Sequence, residues 1–122
     1  MKKDDNIFLK HILESIDKIE KFTKGISKVE FIKSVKTQDA VIRRLEIIGE
    51  ATKNLSANFK EKHTNVPWNE IARMRDKLIH GYFGVDLNIT WGVVSNDLPD
   101  LKKKIKIILK TLSKKINKKS LR

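Results

Sequence analysis

Apolar residues return at every third or fourth position through most of this chain, and that spacing limits the fold more than any other feature. Phe8, Leu9, Ile12, Leu13, Ile16, Ile19 and Phe22 trace one stripe of a helix that Asp4 or Asp5 can cap and Gly25 can stop. Ser27 and Glu30 have capping-box spacing ahead of Phe31 and Ile32. Thr37 with Asp39 can open a second long helix bearing Val41, Ile42, Leu45, Ile48, Ala51 and Leu55. Gly49 sits inside that run at a cost of about 1 kcal/mol relative to Ala; close approach of a neighbouring backbone accounts for it better than simple tolerance.

Residues 56–66 are polar and lack a period. Pro67 suits the first turn of a new helix, because its fixed φ fits there and its missing N–H would have no partner. Trp68, Ile71, Ala72, Met74, Leu78 and Ile79 supply the buried side of that helix, which is expected to end near His80-Gly81. Asp86 or Asn88 can cap a segment carrying Ile89, Trp91, Val93 and Val94. Pro99 forces a kink or a fresh start before Leu101, Ile105, Ile108, Leu109, Leu112 and Ile116. No alternating run of strand type occurs. The expected fold is all-α, an up-and-down bundle of four main helices plus short ones, forming a single domain over residues 1–122.

Charge is distributed unevenly along this frame. The chain carries 27 Lys and Arg against 15 Asp and Glu, a net charge of +12. Ten of the cations follow Asp100 with no acid among them, so residues 1–100 hold 17 cations against 15 acids, or +2. The basicity therefore belongs to a lysine-rich C-terminal helix end from about 102–122, read either as a solvated face or as a surface that steers RNA over a Debye length of about 8 Å. The absence of Cys excludes disulfides, thiolate zinc sites and Cys nucleophiles. Near the N-terminus, Lys10, His11, Glu14 and Asp17 interrupt the apolar residues, which is neither signal peptide nor membrane span. A cytoplasmic protein is expected. His11 and His63 have no companions at ligand spacing, so no metal site and no cofactor are expected.

The segment from Arg75 to Tyr82 is the part of the chain that most resembles a site. Arg75 offers a planar fork of donors for phosphate oxygens, and His80 is of the type that gives and takes protons near neutrality. Residues five apart on a regular helix point about 140° away from each other. Arg75 and His80 can therefore share a site only where the helix ends or distorts at His80, or where a second copy of the chain completes it. The plainer account is a surface cation and a capping imidazole at a helix C-terminus, with Asp76 a surface charge and Tyr82 a packing residue.

Four blocks, in order, carry a family resemblance: the run from Ala40 to Ala51 (AVIRRLEIIGEA), Val66-Pro-Trp-Asn-Glu-Ile71, Arg75-x4-His80-x-Tyr82, and Asp86…Ile89-Thr-Trp91. Together they resemble the HepT-like branch of the HEPN superfamily, over roughly residues 7 to 112. The resemblance implies a homodimeric helical bundle that acts as the ribonuclease toxin of a type VII toxin-antitoxin pair, with an MNT-type nucleotidyltransferase antitoxin as partner and RNA as substrate. It also implies Arg75 and His80 as the catalytic pair, Asp76 as the supporting polar position and Tyr82 as the acceptor of AMP from the antitoxin. One departure stands out, since Asn is frequent where this chain has Asp76, and an ionised Asp only accepts hydrogen bonds. Glu46 and Glu50 fall on a helix expected to pack near the motif, and are read as structural or surface acids. The alternative function is a non-catalytic helical module that binds a nucleotidyltransferase or RNA.

Overall fold

The structure, a computed structural model, describes residues 3–79 and 86–120, with side chains at 5–74, 76 and 86–114. Along the chain run α1 (Lys3–Thr23), α2 (Lys28–Lys33), α3 (Val35–Lys53), α4 (Ala57–Lys62), α5 (Trp68–Ile79), α6 (Leu87–Gly92), a π-helical turn (Val93–Asp97) and α7 (Leu98–Ser120). There is no strand among the described residues. The four long helices are α1, α3, α5 and α7, as their apolar spacing requires; α1 packs along α3 and α7, and α3 along α5.

The core lies where these helices turn their stripes inward. Leu9, Ile12, Ile16 and Ile19 of α1, Val41, Leu45 and Ile48 of α3, and Ile105 of α7 are wholly buried. Each such side chain contributes about 1.5–3 kcal/mol by leaving water. Phe22, assigned to the α1 stripe by spacing, is exposed near the end of the helix. Gly49 is buried on α3. Past α1, Gly25 adopts a φ of 76°, a left-handed turn that L-residues rarely take and that stops the helix as expected.

Caps explain most of the boundaries, including those that differ from expectation. Ser27 and Glu30 form the complete capping box of α2. The long helix begins at Val35, ahead of Thr37 and Asp39, because Ser34 caps it through a bond from the Thr37 N–H. Ser34 also closes α2, so the two helices share one residue. Gln38 then donates to the carbonyls of Ile32 (2.8 Å) and Phe31 (3.0 Å) at the end of α2, the latter also accepting the Ser34 N–H.

The start of α1 also departs from the expected cap. Asp5 lies within the helix and is only 1% exposed. Its carboxylate accepts from the Ser56 N–H and the Ser56 hydroxyl, both at 2.7 Å. Ser56 in turn caps α4 by accepting from the Phe59 N–H. That short helix occupies part of a region whose polarity gave no period, and the buried ring of Phe59 holds it down.

Pro67 stands just before α5, accepting the first helical bond from the Ile71 N–H. Trp68 anchors the new helix: it is 5% exposed, its indole N–H donates to the His63 carbonyl at 2.9 Å, and its ring meets Phe59. Near Pro99 the helix shifts register without breaking. Proline cannot donate to the Ser95 carbonyl and its ring crowds that group, and the π turn before it sends the Leu98 N–H back to the Val93 carbonyl. α7 is then tied to α1 by Lys102, which reaches Glu20 at 2.9 Å and Asp17 at 3.1 Å. The hydrogen bonds to Glu20 and then Asp17 hold its ammonium above the usual lysine range.

Candidate functional site

Of the residues singled out by the sequence, two fall on the C-terminal half of α5. Arg75 and Asp76 belong to this helix, and the Asp76 side chain is exposed. His80 and Tyr82 lie outside the described residues, as does the rest of 80–85. The segment is bracketed by two anchored elements. On one side α5 packs on α3 and is pinned at its start by Trp68. On the other, Asp86 caps α6 by accepting from the N–H groups of Asn88 and Ile89, as its position suggested.

α6 is itself well fixed. Thr90 is fully buried and donates its hydroxyl to the Asp86 carbonyl at 2.8 Å. Trp91 packs on Phe31 of α2, with ring centroids 5.2 Å apart. The chain thus enters and leaves residues 80–85 from helices whose positions are set by buried aromatic rings.

Two clefts flank this scaffold. The first, of about 290 Å³, runs between α5, α6, the π turn and α7, with Ile71, Met74, Ile89, Val93 and Leu101 in its walls. Among the described residues its lining carries Glu70, Asp97 and Asp100 against one cation, Lys104, which Asp100 holds at 3.0 Å. The described lining of this groove is apolar with a net acidic edge, a surface that repels phosphate. It does place the first turn of α7 across from α5, one residue from Arg75.

The second cleft, of about 350 Å³, lies between α1 and α3 and is lined by Phe8, His11, Arg43, Glu46, Ile47, Glu50, Ala51 and Asn54. The sequence reading treated His11 as solitary; folding brings it beside Arg43 and two carboxylates. The signal was present but split between helices, with α1 supplying the imidazole and α3 the rest. Glu46 is half-buried and meets Arg43 at 3.7 Å, while Glu50 is exposed. Both fit the surface-acid reading better than a catalytic one. Among the described residues, no group of three or more His, Cys, Asp or Glu is arranged to hold a metal ion, and no helix is long and apolar enough to cross a membrane.

Comparison with known proteins gives a family to set against this geometry. The family model described as ribonuclease HepT-like matches residues 12–108. A Methanocaldococcus jannaschii protein named "Gamma-glutamylcyclotransferase and putative RNase" is 55% identical over 119 residues, 98% of this chain; the chain spans only 54% of that relative's length. A Thermococcus cleftensis protein named "Probable ribonuclease HepT" is 51% identical over 110 residues, covering 90% of this chain and the whole of the relative. No solved structure matches the chain.

Proposed function

The chain belongs to the ribonuclease HepT-like family, and on that premise we propose that it is an endoribonuclease that cuts RNA without a metal ion, as the toxin of a type VII toxin-antitoxin pair. The observation that carries this reading is the family match over residues 12–108, which takes in Arg75, Asp76, His80 and Tyr82 in the expected order. The all-α architecture of the described residues agrees with a HEPN-like bundle.

In the proposed reaction the ribose 2′-hydroxyl attacks the adjacent phosphorus, the bond from phosphorus to the 5′-oxygen breaks, and a cyclic phosphate remains. One imidazole accepts the hydroxyl proton and a protonated one gives a proton to the departing 5′-oxygen. Two copies of His80, one from each subunit of a homodimer, fill those roles. Arg75 binds the phosphate and stabilises the charge that builds on it. Asp76 supports the site as an acceptor and does not touch the phosphate, which it would repel. The five-residue separation of Arg75 and His80 favours a site assembled across paired chains, since one straight helix would turn them about 140° apart.

The mechanism needs the 2′-hydroxyl and nothing from a metal. Incubation with RNA and with matched DNA, each in EDTA, should therefore give RNA cleavage alone; loss of cutting on chelation, or equal cutting of DNA, contradicts it. Control by an MNT-type nucleotidyltransferase antitoxin is part of the same proposal. The Tyr82 oxygen would attack the α-phosphorus of ATP and release pyrophosphate, leaving an anionic AMP group two residues from His80, where substrate phosphate must sit. Intact-mass measurement after co-expression with such a partner should show added AMP units, and their persistence in Tyr82→Phe would move the acceptor elsewhere.

A further inference from the structure

We propose that the outer face of α7 is a binding rail for the phosphate backbone of RNA, formed by Lys103, Lys106, Lys110 and Lys114. The inference rests on the ribonuclease reading for its choice of polyanion, but its evidence is separate from the motif on α5. These four residues follow one another by three, four and four positions, so at about 100° and 1.5 Å per residue they lie within about 80° of each other along about 16 Å of helix. All four are exposed.

The rail differs from the rest of α7 in how its charge is balanced. Lys102 is neutralised by Asp17 and Glu20 of α1, and Lys104 by Asp100. Lys103, Lys106, Lys110 and Lys114 form no ion pair among the described residues, and no acid follows Asp100 in the sequence. Like charges four apart on a helix repel one another, so Lys106, Lys110 and Lys114 stand in a row that an opposing polyanion would relieve. With only +2 on residues 1–100, this face is the main source of the chain's positive field.

Chemistry selects a phosphate backbone over a lipid surface. An amphipathic helix binds membranes by burying its apolar face, and here that face is already used: Leu101, Ile105 and Ile108 are packed in the core. Among the described residues of α7, Ile107 is the one exposed large apolar side chain. Lysine ammoniums act as flexible point charges that hold phosphates without reading bases. The helix also starts across the groove from α5, the element that carries Arg75.

The test is binding of a labelled single-stranded RNA, read by fluorescence anisotropy over a series of salt concentrations. Lys103→Gln, Lys106→Gln, Lys110→Gln and Lys114→Gln are combined in one variant. Its control, Lys24→Gln, Lys33→Gln, Lys36→Gln and Lys53→Gln, removes as much charge from exposed positions elsewhere. Circular dichroism confirms that both keep their helicity. Four lost single-strand contacts should reduce the slope of log K against log salt by about 3 and weaken binding roughly tenfold or more at physiological salt, while the control changes little. Equal losses in the two variants would overturn the rail, as would binding to anionic vesicles without binding to RNA. Tight RNA binding without cleavage by the native chain would instead overturn the ribonuclease reading and leave the rail standing.

Discussion

His80→Ala should abolish most RNA cleavage while leaving RNA affinity close to that of the native chain. A positioned general acid or base contributes typically 10²–10⁴-fold to rate, so a fall of that order in kcat with KM little changed is the expected signature. Arg75→Ala should also lower kcat, by about 3 kcal/mol of lost stabilisation of the developing phosphate charge, and should raise KM as well, since in the proposed mechanism the guanidinium would also bind the ground-state phosphate. The two variants therefore separate by their KM values. If two subunits share one site, mixing an excess of His80→Ala chains into native protein should depress activity more steeply than dilution alone. Single-turnover cleavage of a defined RNA measures all of this. Unchanged cleavage in His80→Ala would return the motif to its plainer role, a helix-end cation and cap, and would place the catalytic groups elsewhere in the chain.

The parts of the fold that were legible in the sequence are those where one helix buries one stripe. Ile12, Ile16 and Ile19, or Val41, Leu45 and Ile48, announce a core face because each is spaced to reach the same neighbour. Local caps were legible for the same reason: Ser27 with Glu30, and Asp86, act within three residues of themselves. What escaped depends on partners distant in sequence or on too few anchors. Asp5 has the composition of an N-cap, yet its partner is Ser56, 51 positions away. α4 has a single buried residue, Phe59, and one point defines no period. Ser34 was overlooked because it serves two helices at once, so neither shows a gap.

The candidate site was legible by residue type and opaque in geometry. Arg75 and Asp76 are on α5, as the Trp68 to Ile79 spacing required, whereas His80 and Tyr82 fall outside the described residues. The five-residue interval implies that one regular helix does not bring the pair together. Neither a distortion at the helix end nor completion of a site by a second copy would leave a readable period in the sequence.

Phe31→Ala should be the most destabilising single truncation near the site, and its effect should extend beyond stability. Phe31 is wholly buried and is the one buried residue of the six-residue α2, a helix far too short to persist alone. Removing the ring costs about 3–5 kcal/mol, a large share of the 5–15 kcal/mol typical of a folded protein. At roughly 4 °C per kcal/mol for a chain of this size, Tm should fall by about 12–20 °C. Phe31→Leu, which fills more of the space, should cost far less. The ring also carries Trp91, and with it α6, whose capping residue Asp86 directly follows residues 80–85. Well below its lowered Tm the variant should therefore still cut RNA more slowly than the native chain, because the far anchor of the His80 segment has lost its packing partner. Thermal melts paired with single-turnover cleavage at low temperature check both halves. Full activity in a folded but less stable Phe31→Ala protein would show that α6 keeps its place without that contact.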